Sequence, residues 1–194
     1  MRYSVEHKAQ SHEKILSVAA RSFRERGGDS SGIGTVMKKV GLKKGGFYRH
    51  FKSKDDLFVE AVAGALQETE RGVAETAESA PEGRALRAII ERYLSVPHAN
   101  SVATGCVIAT LGPELARKPI ALRRRIEPLV EAYRERLLPF VSGQTREEKM
   151  AKIRLLFSSM AGVLMMARFS AEPGRREQML TQARDFFIKH FAEG

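Results

Sequence analysis

Apolar residues recur every three or four positions through most of the chain, the period of helices that bury one face. Between residues 11 and 26, Ile15, Leu16, Ala19, Ala20 and Phe23 share a face, and Gly27 supplies a stop. Gly27, Gly28, Asp29, Ser30, Ser31 and Gly32 predict a turn-rich linker, after which Ile33, Val36, Met37 and Val40 form a short stripe closed by Gly41. Gly41, Leu42 and Lys43 predict a tight turn into a second short helix reaching Phe51, with Phe47 and Phe51 four apart on its buried side. Two short helices joined by a glycine-containing turn predict a helix-turn-helix.

A long helix follows. Ser53 is placed to accept from the Asp56 backbone N–H while Asp56 reaches back, a variant of the capping box, and Asp55 and Asp56 suit the positive end of the dipole. Its stripe, Leu57, Phe58, Ala61, Val62, Ala65, Leu66, Thr69 and Val73, is long enough to join the first 52 residues to the rest. Residues 80–83 break it, and Leu86, Ile89, Ile90, Tyr93 and Leu94 predict the next helix, ending before Pro97. A weaker helix is predicted over 104–116, then one over 122–137 with a kink or restart at Pro128. Residues 146–169 carry two apolar stripes: Ile153, Leu156, Phe157, Met160, Val163, Leu164 and Ala167, and separately Leu155, Met165, Met166 and Phe169. A helix apolar nearly all round must be covered nearly all round. Residues 179–191 predict a last amphipathic helix. No segment alternates as a strand does, so the fold is all-α, about nine helices, divided into residues 1–52 and 53–194.

Charge changes this picture by its position. The chain of 194 residues has a net charge of +10, but residues 1–54 hold 13 Lys or Arg against Glu6, Glu13, Glu25 and Asp29, while the remainder is nearly neutral. A basic unit attached to a neutral body is the footprint of a nucleic-acid-binding module, the alternative being a basic but inert surface. One cysteine excludes an intramolecular disulfide, the first ten residues hold no apolar run like a signal peptide, and the longest unbroken apolar or glycine run, 160–167, is short for a membrane span. A soluble cytoplasmic protein is the expectation.

The chemistry concentrates in residues 41–57. Gly45 and Gly46 carry no side chain to hold the backbone away from a phosphate. If Phe47 and Phe51 are buried, Tyr48, Arg49 and His50 face outward. Tyr48 and His50 are short-reach phosphate donors, Lys43, Lys44, Lys52 and Lys54 supply charge at both ends, and Arg49 is the only side chain here able to hold guanine bidentately. Lys54 stands at the positive end of a helix dipole, where an anion such as phosphate compensates it.

Residues 13–23 and the series Gly46, Tyr48, His50, Phe51, Lys54 and Leu57 resemble the DNA-binding domain of the TetR family of bacterial repressors. The resemblance covers about the first 65 residues, and Gly105-Cys106-Val107 and Pro113–Arg117 are similar to one branch of the family. It implies a homodimer on a double-stranded DNA operator, a helical C-terminal domain binding a small-molecule effector, and repression relieved by that effector. Tyr48, His50 and Lys54 match its phosphate-contacting positions, and Lys44, Gly45, Gly46 and Arg49 its recognition surface. The chain departs from the family pattern at Gly28, where an aromatic usually stands, and at Gly32 and Gly34, where caps are usual.

Elsewhere the candidates compete with plainer roles. Tyr93, His98, Phe157, Met160 and Met165 are candidates to line the effector pocket, or are core. Cys106 is read as a small buried hydrophobe, with a thiol sensor or a small helical enzyme as the alternative. The histidines show no metal-ligand spacing, and no cofactor or metal is implied. Arg123-Arg124-Arg125 reads as a solvated face. The helices over 146–169 and 179–191 are the expected dimer seam, with Leu164 a contact in it, and the helix after Ser53 the expected lever. A non-specific architectural DNA binder is a further alternative, separable by its lack of discrimination between operator and random duplex.

Overall fold

The computed structural model describes residues 5–193, and among them helices joined by turns and loops are the regular structure, with no strand. Nine α-helices follow in order: α1 Val5–Arg26, α2 Ile33–Lys39, α3 Lys54–Glu78, α4 Ala85–Tyr93, α5 Val96–Asn100, α6 Val107–Arg117, α7 Ile120–Glu135, α8 Arg146–Phe169 and α9 Pro173–Phe187. Short 3-10 turns occupy Lys44–Arg49 and Leu138–Phe140, and a π-helical turn, Ile188–Ala192, extends α9.

Local chemistry explains most boundaries. The Ser53 hydroxyl accepts from the Asp56 N–H at 3.0 Å and donates to the Asp56 carboxylate at 2.9 Å, so Asp56 reaches back to the side chain of its cap rather than to the backbone. Thr145 caps α8 in the same way through the Glu148 N–H. Gly27 and Gly41 close α1 and α2 at φ of 84° and 76°, where a side chain would be strained.

Several boundaries differ from the pattern-based expectation. Pro97 lies in the first turn of α5, which Ser95 caps by accepting from the His98 N–H; a proline there starts a helix, because its missing N–H has no helical partner to lose. The helix anticipated over 104–116 begins at Val107 after a loop, and the one over 179–191 begins at Pro173. Pro128 sits inside α7, which continues through it without a restart. The second helix of the helix-turn-helix is a six-residue 3-10 turn.

α1 packs along the first half of α3, and Ile15, Phe23, Met37, Phe47 and Leu57 fill the space between them and α2. α3 also packs on α4 and on α7, which runs beside it from Asp56, paired with Arg125, to Glu70, paired with Arg136. α8 is the axis of the body, touching α5, α6, α7 and α9 through Ile153, Phe157, Met160 and Leu164. Among the described residues α8 alone has the length and mean hydropathy, 1.4, of a membrane-crossing helix, and its inner stripe is buried within the chain. Its outer stripe is bare: Leu155, Met165, Met166 and Phe169 are exposed, Phe169 by 84%. Leu164 is 0% exposed and faces inward, so it belongs to the protomer's own core and not to a surface seam.

Candidate nucleic-acid interface

The tip of the basic unit is held from below by two phenylalanines. Phe47 and Phe51 are buried with ring centroids 5.4 Å apart, and the Tyr48 ring meets Phe47 edge-on at 5.2 Å. Such packing fixes a short 3-10 turn that its own hydrogen bonds would hold poorly. Tyr48 is left 69% exposed, with Lys43, Lys44, Gly45, Arg49 and Lys52 exposed around it. A Cβ at Gly45 would meet nothing within 4 Å, so the bare backbone there answers to no neighbour inside the protein. Gly46 is half-buried, and a Cβ there would come within 3.7 Å of Met37.

His50 is half-buried beside this surface, and its Nδ1 is buried without a hydrogen-bond partner. Burial lowers its pKa, and His12, Lys8 and Arg49 lower it further. An imidazole surrounded by positive groups sits in a field that attracts an anion. Lys54 is turned toward the linker between α1 and α2, donating to the Asp29 carbonyl at 3.0 Å, and keeps two further N–H donors.

Around the tip the body grips the basic unit through contacts that the sequence pattern did not anticipate. Glu114 on α6 accepts from the Gly28 N–H at 2.8 Å and the Asp29 N–H at 3.1 Å. Lys118 pairs with Glu114 at 2.9 Å and with the Asp29 carboxylate. Arg24 on α1 is 3% exposed; its Nε donates to the Ala103 carbonyl at 2.6 Å, and its guanidinium lies 3.7 Å from Glu68. Arg125, exposed like Arg123 and Arg124 before it, also donates to the Asp56 carboxylate at 2.6 Å. The spacing of Ala20 and Arg24, four apart beside the apolar stripe of α1, was the one available signal for a buried cation. Nothing in the sequence pairs residue 28 with residue 114.

The five candidate pocket residues do not come together. Tyr93 and His98 line a cleft of about 310 Å³ between α3, α4 and α5, with Thr69, Val73, Ile89 and Gly105. Phe157 and Met160 are buried in the body, Phe157 against Tyr133 at 5.4 Å, and Met165 is on the outer side of α8. The Tyr93 hydroxyl is buried without a hydrogen-bond partner, its pKa raised first by burial and then by the neighbouring Cys106 thiol. Both nitrogens of His98 are engaged: Nδ1 lies 2.6 Å from the Tyr93 carbonyl, and Nε2 accepts from the Cys106 N–H at 3.1 Å. Cys106 is buried and caps α6, its sulfur accepting from the Ala109 N–H. No cluster of metal-ligating side chains occurs among the described residues.

Comparison with known proteins places this arrangement. Residues 15–61 match the family described as bacterial regulatory proteins, tetR family. Over 51 residues, 26% of the chain, it is 41% identical to the HTH-type transcriptional regulator AcrR of Shigella flexneri, and over 127 residues, 64% of the chain, 29% identical to LmrA of Bacillus subtilis. These matches span 24% and 66% of the two relatives' lengths. The whole fold is similar to the crystal structure of a TetR transcriptional regulator from Chloroflexus aurantiacus. The TM-score is 0.77 at 21% identity, covering 96% of this chain and 98% of that one.

Proposed function

We propose, from the match of residues 15–61 to the tetR family of bacterial regulatory proteins and the likeness of the whole fold to a TetR regulator, that the chain is a member of that family and a ligand-responsive transcriptional repressor, a cytoplasmic homodimer that binds a palindromic operator and is released by a small molecule. The observation that carries this reading is the tip itself: Tyr48 and Arg49, exposed on the buried pair Phe47 and Phe51 and ringed by lysines, inside the matched stretch 15–61. Tyr48, His50 and Lys54 take phosphates; Arg49, with Lys43, Lys44, Gly45 and Gly46 beside it, reads the major groove.

The bare outer stripe of α8 and exposed Phe186 on α9 support a seam in which two helices from each subunit form a four-helix bundle. Two-fold symmetry then presents two tips to successive major grooves. The cleft beside Tyr93 and His98 is the effector site. α3 starts one residue after Ser53, next to the tip, and its Thr69 and Val73 form a wall of the cleft, so a ligand that fits only one setting of the body tilts α3. It shifts the balance by its differential affinity for the two settings. The reading includes no enzymatic step.

The test is the salt dependence of duplex binding. A dimer contacting about eight phosphates gives a slope of log K against log salt near −7, and a slope near zero overturns the proposal.

A further inference from the structure

α6 is fastened at both ends, and the two fastenings belong to different parts of the molecule. At its start the Cys106 N–H is held by His98 in the cleft wall. Gly105 just before it is hemmed in: a Cβ there would lie 2.5 Å from Arg168 and 2.6 Å from the Ser101 carbonyl. About 12 Å farther along the axis, at 1.5 Å per residue, Glu114 receives two successive backbone N–H groups of the linker between α1 and α2.

That second fastening is tight. The Glu114 carboxylate and the Lys118 ammonium are both mostly buried, 13% exposed, and away from water the hydrogen bonds made to the carboxylate are stronger than at an open surface. A Cβ at Gly28 would stand 2.3 Å from the Phe58 ring and 2.8 Å from Glu114, so only glycine lets the linker approach this closely. The departure from the family pattern at residue 28 therefore coincides with the contact.

We propose that Glu114 is a positioning residue: through α6, it sets the orientation of the Tyr48–Arg49 tip relative to the body and carries a disturbance in the cleft wall to the DNA-binding unit. The inference rests on the reading of the chain as a DNA-binding regulator, and adds a second route beside α3. Glu114 touches no DNA; it acts through the linker that precedes α2 and the tip.

The experiment uses the full chain with Glu114→Gln, which keeps size but replaces one of the two accepting oxygens by an amide N–H₂, so that one linker donor loses its acceptor and the pair can no longer be held together. Glu114→Asp, too short to reach both, replaces it if the glutamine variant does not fold. Amide hydrogen exchange at Gly28 and Asp29 accelerates tenfold or more in the variant, and unchanged protection overturns the contact. His98→Gln, in α5 against the start of α6, accelerates the same two amides threefold or more; a smaller change overturns the route from the cleft. The third readout is the ratio of affinities for a palindromic duplex, selected from random sequence by the wild-type protein, and for its single half-site. Orientation governs the ratio while tip chemistry governs both affinities, so a change of threefold or more in either direction supports the role and a smaller one overturns it. If the wild-type protein binds no duplex, the reading as a regulator fails, while the amide measurements still decide the fastening.

Discussion

The Arg125 guanidinium on α7 donates to the Asp56 carboxylate at 2.6 Å, so the third of three successive arginines ties the body to the first turn of α3. Arg125, and after it the Ser53 hydroxyl, hold the Asp56 carboxyl below its ordinary 3.8. A group with a lowered folded value contributes stability that is full above 3.8 and disappears as pH falls below it. Arg125→Gln therefore melts below wild type at neutral pH, and the gap narrows below pH 3.8; thermal melts across that range check it.

His98 supplies a second acid-sensitive point, nearer neutral pH. Because Nε2 must accept from the Cys106 N–H, the neutral ring carries its proton on Nδ1 and donates to the Tyr93 carbonyl. Burial holds this histidine below its ordinary 6.5, so stability falls as pH drops from 6.5 toward the folded value. Nitrogen-15 chemical shifts of the ring report the Nδ1–H form at pH 7, and a Nε2–H form would contradict the assignment.

At the tip, Tyr48→Phe leaves folding intact, since Tyr48 is exposed, and weakens every duplex alike by roughly fivefold per half-site, the loss of about 1 kcal/mol for one hydrogen bond. Arg49→Ala instead relaxes preference at one base pair, where a bidentate contact is worth about 1–3 kcal/mol. Binding to a panel of single-substitution operators separates the two.

The subunit seam is tested on its outer residues. Met166→Glu with Phe169→Glu yields folded monomers by light scattering. Leu164→Glu, which puts a charge at a fully buried position, abolishes folding instead of dissociating subunits. A folded monomer from Leu164→Glu would reverse this assignment.

The pattern of apolar residues was sufficient for α1, α3, α4 and α8, because each buries one continuous stripe and stripes are local. The buried pair Phe47 and Phe51 and the exposed Tyr48 and Arg49 were legible for the same reason. α5 was missed because five residues beginning around Pro97 give too few turns for a period to show. The stripe of residues 146–169 indicated two covered faces without indicating which one is covered by the chain itself, and Leu164 went to the wrong one. Phe157 and Met160 lie away from the cleft because a Met and aromatic stripe fits any apolar neighbour. Glu114, Arg24 and Arg125 act across 86, 79 and 69 positions of sequence, and no periodicity connects such partners.

The six-residue turn Lys44–Arg49 has too few internal hydrogen bonds to stay ordered alone, and Phe47 and Phe51 make its order a property of the core beneath it. Tyr48 and Arg49 therefore share the cooperative unfolding of that core instead of fraying as a surface turn would. If the tip reads DNA as proposed, the reading head is all-or-none: as the protein warms, DNA recognition vanishes at the melting of α1 to α3, with no partially ordered tip to retain a weakened specificity.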